Sequence, residues 1–100
     1  MTPEHPLERF ERTMGCTAAE LIGWLPRSLP GAELTIGSSD AWAEFERGSL
    51  RLTWKQGPPR RIALLEIPSL QVAFVFEGMP PHERRAVLRH FDLATHRGGG

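Results

Sequence analysis

Hydrophobic and polar positions change their period along this chain. Near the N-terminus Leu7, Phe10 and Met14 recur at i, i+3 and i+7, the spacing of one helical face, and Gly15 is placed to end that helix. Leu21, Ile22 and Leu25 repeat the helical spacing, and Pro26 predicts the end of a second helix. From Ala32 onward the period is two. Leu34 and Ile36 alternate before a turn at Gly37-Ser38-Ser39-Asp40, residues 41–46 read as a second strand, and Leu50, Leu52 and Trp54 alternate with Arg51, Thr53 and Lys55. Gln56-Gly57-Pro58-Pro59 reads as a hairpin loop, residues 62–67 as a fourth strand, Pro68-Ser69 as a break and residues 70–77 as a fifth strand. A final helix opens at Met79-Pro80-Pro81, where proline suits the first turn and Glu83 favours the helix dipole. Val87, Leu88 and Phe91 form its apolar stripe, with Arg84, Arg85 and Arg89 facing elsewhere. Phe91 reads as the last core anchor, with residues 92–96 unwinding after it.

The start of the second helix carries its own signal. Thr17 and Glu20 have the spacing of a capping box, in which each side chain satisfies the other residue's backbone N–H. Cys16 and Leu21 stand at the two positions of a hydrophobic staple.

Connections this short favour antiparallel neighbours, since a parallel crossover needs a dozen residues or more. The expected fold is one α+β domain over residues 1–97: an N-terminal helix or two short helices, an antiparallel meander of about five strands, and a C-terminal helix packed on one face. Residues 98–100 then form a flexible glycine tail. The last two strands complicate a one-sided sheet. Ile62 and Leu64 stand against Ala63, Leu65 and Ile67, and Leu70, Val72, Phe74 and Phe76 stand against Ala73 and Val75. Either the sheet curls into a small SH3-like barrel with flanking helices, or its second face meets another copy of the chain. The second alternative makes the protein a homodimer through the strands between Ile62 and Phe76.

Composition narrows the function classes. Hydrophobic residues make up 40% and charged residues 24%, ordinary for a globular domain, and the net charge is zero. A chain built mainly to coat nucleic acid or an anionic membrane carries a large net positive charge instead. The balance hides an asymmetry. Residues 1–46 hold eight acids and three bases, whereas residues 47–100 hold nine bases and four acids. The longest apolar run, residues 72–76, falls far short of a membrane span, and the first residues contain no apolar leader. A cytoplasmic setting is the expectation, with no disulfide because Cys16 is the one cysteine.

Motifs with a definite chemistry are missing from the sequence: no phosphate-cradling glycine loop, no Gly-x-Ser-x-Gly elbow, no His-Glu-x-x-His. His82 and His90 lie about 12 Å apart along one helix, too far to grip one metal. No cofactor or metal is therefore expected. Cys16, just before a helix N-terminus, is the candidate nucleophile, because the dipole there favours a thiolate. Arg51, Lys55, Arg60 and Arg61 form a basic run with no acid between them, a candidate phosphate-contacting face beside Trp42. Trp54 belongs to the buried alternation.

Two resemblances attach to the C-terminal residues. Arg97-Gly98-Gly99-Gly100 resembles the tails of ubiquitin-like sulfur carriers, whose terminal carboxylate is adenylated, which would make Gly100 a reactive terminus; Arg97 joins the basic residues as a candidate binding residue. That family holds its helix inside a β-grasp sheet and reaches its tail from a strand, whereas here a helix precedes the tail, and three glycines rather than two close it. The chain as a whole, with eleven arginines to one lysine and the piece Phe91-Asp92-Leu93, resembles small bacterial protein families to which no activity is attached. The function expected from the sequence is a small non-enzymatic binding or interaction module that associates with itself. Nucleic-acid binding through the basic face, thiol chemistry at Cys16 and carrier use of the tail are the alternatives.

Overall fold

One hairpin, far longer than its neighbours, organises the molecule. The computed structural model describes residues 8–96. In chain order the elements are β1 (Arg9–Met14), α1 (Ala18–Ser28), β2 (Glu33–Ile36), β3 (Asp40–Glu44), β4 (Ser49–Ile62), β5 (Leu65–Glu77) and α2 (Pro81–Thr95). The strands form one antiparallel sheet in the order β1-β5-β4-β3-β2. This is an α+β fold with an open sheet. The barrel alternative is ruled out because β1 and β2 stand at opposite edges and do not pair.

Alternation decides which face is covered. Leu50, Leu52 and Trp54 of β4, and Leu70, Val72, Phe74 and Phe76 of β5, point to the same side and are buried. Leu21 and Leu25 of α1 and Leu88 and Phe91 of α2 join them in one cluster. Phe74 is its centre: it stacks on Phe10 at 4.7 Å and meets the edge of Phe91 at 5.4 Å. The α1 start is built as its sequence predicts. The Glu20 N–H donates to Thr17 Oγ1 at 3.1 Å, and the Thr17 N–H donates to Glu20 Oε1 at 3.0 Å.

Six local expectations are corrected. Residues 9–14 are a strand, not a helix. Six residues cannot sustain a helix without tertiary support, whereas β5 offers a full row of ladder partners from Leu70 to Val75. The alternation of Phe10, Arg12 and Met14 was masked by the charge in its middle. Arg12 spans the apolar row, its guanidinium 5.5 Å from the Phe10 ring and 5.4 Å from the Phe74 ring, and it pairs with Asp92 of α2. Pro26 lies inside α1, which runs on to Ser28. A proline there removes one N–H near the helix end, where the Leu29 N–H donates to the Leu25 carbonyl and Ser28 Oγ donates to the Trp24 carbonyl.

The third and fourth corrections share one cause. Gln56-Gly57-Pro58-Pro59 is not a loop and Pro68-Ser69 is not a break; β4 and β5 are continuous through them. Register holds at Gly57 opposite Ser69 and resumes at Arg60 opposite Ile67, so Pro58 and Pro59 face Pro68 across a bulge of two residues against one. Three residues without an amide hydrogen coincide where the ladder is already interrupted. The turn is displaced to Ala63 and Leu64, with Ala63 at φ 54. Last, Arg84 is buried rather than turned outward. It shares the inward stripe with Leu88 and Phe91, and its Nη1 donates to the Met79 carbonyl at 2.7 Å. α2 also stays helical through Thr95, whose hydroxyl donates to the Phe91 carbonyl, instead of unwinding after Phe91.

Candidate interaction surface

Among the described residues, nothing covers the tip of the long hairpin. β3 pairs with β4 only as far as Thr53, and β1 pairs with β5 only as far as Leu70. Beyond those points β4 and β5 continue alone as a two-stranded ribbon, and every residue from 58 to 66 is exposed. Register sorts its side chains. Ile62 faces Leu65, and Arg60 faces Ile67, on one side; Arg61 and Glu66 face each other on the other side and lie 3.6 Å apart. Leu64 stands fully exposed at the turn, with Leu65 at 66% and Ile62 at 48%. The apolar excess read in the sequence at residues 62–67 is therefore a projecting tip rather than a second sheet face. On the uncovered face of the sheet itself only Ala73 and Val75 are apolar in β5, and both are half-buried between polar neighbours.

The basic candidates are separated by the same geometry. Arg51 and Lys55 lie on the uncovered sheet face with Thr53. Arg60 and Arg61 do not lead into a partner strand; they sit further along β4 itself, on opposite sides of the ribbon. Cross-strand register brings Glu11, Glu33, Asp40, Glu44 and Glu77 onto the face that holds Arg9, Arg51 and Lys55. Arg51 is 3.6 Å from Asp40. Trp42, on the same face, donates its indole N–H to Glu44 at 2.7 Å. Acids outnumber bases there, a field that opposes a polyanion. Arg97 lies outside the described residues, as does the whole tail to Gly100.

Cys16 is 1% exposed and packs in the core cluster with Leu21, the two ends of the staple. Its thiol is held away from solvent. Among the described residues no three of His, Cys, Asp and Glu gather as a metal site, and no helix is long and apolar enough to cross a membrane.

One feature had no signal in the sequence. A cleft of about 480 Å³ opens between the C-terminal end of α1, the β3–β4 turn and α2. Leu29, Phe45, Met79 and Val87 supply its apolar wall, and Glu46, Arg47, Glu83 and His90 its polar groups. Arg47 pairs with Glu83 there. These residues come from four separate stretches of chain, so no local pattern announces them. Comparison with family models and with curated proteins finds no match to this chain.

Proposed function

We propose that the protein is a self-associating interaction module whose contact element is the β4–β5 ribbon, its partner being a second copy of the chain. The observation that carries this reading is the uncovered tip formed by Ile62, Leu64 and Leu65. A two-stranded ribbon is marginal by itself in water, and an apolar tip adds to the cost of leaving it bare. Fully burying each of the three side chains is worth about 1.5–3 kcal/mol. With Ile62 at 48% and Leu65 at 66% exposure, one tip thus gains roughly 3–6 kcal/mol, against an association cost of about 4–15 kcal/mol. Two tips buried in one complex double the gain against a single loss of rigid-body freedom, which favours a dimer in which both ribbons are engaged.

The ribbon recognises through side chains, not by adding a strand. Pro58, Pro59 and Pro68 withhold donors along its edges, and Arg60 and Arg61 place charge beside them, both of which discourage edge-to-edge pairing. Light scattering coupled to size exclusion tests the proposal directly. The wild-type chain is expected as a dimer at micromolar concentration, and the Leu64→Ser/Leu65→Ser variant as a folded monomer with an unchanged circular dichroism spectrum. A wild-type monomer under the same conditions would overturn it.

A further inference from the structure

We infer that the seat for the ribbon tip is the cleft between α1, the β3–β4 turn and α2 of the second copy, and that the exchange is reciprocal, each tip entering the other copy's cleft. This deepens the self-association proposed above and rests on it. The first argument is position. The cleft lies at the root of the long hairpin, beside Phe45, Arg47 and Met79, while the tip lies at Ala63 and Leu64. The 13 residues of β5, at about 3.3 Å each, separate them by about 40 Å, close to the 44 Å long axis of the molecule. A tip cannot reach its own cleft. Two copies related by a twofold axis, with their long axes antiparallel, place each tip against the other's root and bury two identical contacts.

The second argument is chemical fit. The tip presents Ile62, Leu64 and Leu65, and the cleft offers an apolar wall in a volume of about 480 Å³. Pockets that accept a compact apolar group span about 300–1,000 Å³. The third argument is charge. Arg60 lies on the apolar side of the ribbon, opposite Ile67, and has no ion pair among the described residues. Arg47 at the cleft is engaged with Glu83, which leaves the Glu46 carboxylate at the rim without a described ion-pair partner. Arg60 entering beside Glu46 supplies the missing countercharge to both. The ribbon's prolines fit the same picture, because a tip that inserts side chains into a cleft needs no unpaired amides at its edge.

Charge reversal tests the seat, using the full chain and sedimentation velocity across a concentration series. Arg60→Glu and Glu46→Arg are each expected to raise the dimer dissociation constant about tenfold or more, and the double variant to recover most of that loss. Ala86→Arg, at an exposed position lining the cleft, is expected to block the dimer while leaving the monomer folded. If Leu64→Ser/Leu65→Ser abolishes the dimer but Glu46→Arg and Ala86→Arg do not weaken it, self-association stands and the cleft is not the seat. If the double charge variant is no better than the singles, the Arg60–Glu46 pairing is wrong. Masses that keep growing with concentration beyond a dimer would overturn the reciprocal twofold in favour of head-to-tail chains. A wild-type chain that never associates removes the underlying reading as well.

Discussion

The proximal and distal halves of the β4–β5 hairpin follow one backbone ladder and live in different solvents. In the proximal half, Leu50, Leu52, Phe74 and Phe76 lie under two helices, with β1 and β3 sealing the edges. In the distal part, residues 58–66 are all exposed and, among the described residues, β4 and β5 pair there only with each other, on either side of the proline bulge. Strand formation therefore does not require a core in this molecule, but durable strand formation does. Hydrogen bonds in a solvated ladder contribute little net stability, whereas each buried side chain of the proximal half contributes on the order of 1.5–3 kcal/mol. The same hairpin should consequently behave as two units in amide exchange, protected at its root and open at its tip.

Substitutions can break that contrast or sharpen it. The largest effect is expected from Phe74→Ala, which removes the ring between Phe10 and Phe91 and should cost about 3–5 kcal/mol in denaturant unfolding. Next is Gly48→Ala at the hairpin root. Gly48 has φ +96, and an added Cβ would lie 2.7 Å from the Glu77 carbonyl oxygen and 2.8 Å from the Met79 nitrogen. Backbone has to move, and a loss of about 2 kcal/mol or more is expected in the same assay. A smaller change, of opposite sign, is expected at the tip. Ala63→Gly relieves a left-handed alanine and should stabilise the ribbon by up to about 1 kcal/mol, after glycine's extra chain entropy is subtracted. Slower amide exchange confined to residues 58–68 would report it. Least of all, Leu65→Ser should alter monomer stability by no more than about 0.5 kcal/mol, since the side chain leaves no core. A large loss from Leu65→Ser in a monomeric sample would mean that the two halves fold as one unit.

The sequence was most readable where one side chain's role is local. Thr17 and Glu20 form their box from spacing alone, and the alternation from Leu50 to Trp54 names the covered face before any partner strand is known. It misled where a long-range partner overrides a local habit. β1 becomes a strand because β5 has an open edge, a fact absent from residues 9–14 themselves. The prolines at 58, 59 and 68 look like three separate stops and act as one bulge, because only the pairing register brings them together. Arg84 looked like surface charge because its acceptor, the Met79 carbonyl, is a backbone atom that no residue type reveals. The apolar tip was legible as an excess of hydrophobic residues, but its shape was not, since the turn sits at Ala63-Leu64 and not at the glycine and prolines before it. The cleft was not legible at all, being assembled from four distant segments.

The crowded root of the hairpin gives the molecule the mechanics of a beam clamped at one end. Gly48 is wedged against Glu77, Gly78 and Met79, and Arg84 ties the same segment to α2. The ribbon is unbraced only beyond Leu70, six residues short of Leu64, so at roughly 3.3 Å per residue its free length is about 20 Å, and a tilt of about 10° where the flanking strands end swings the tip by roughly 3–4 Å. Compliance is concentrated at one end and stiffness at the other. Such a lever sweeps a wide volume before contact with little rearrangement of the packed body, and its motion is arrested once the far end is held.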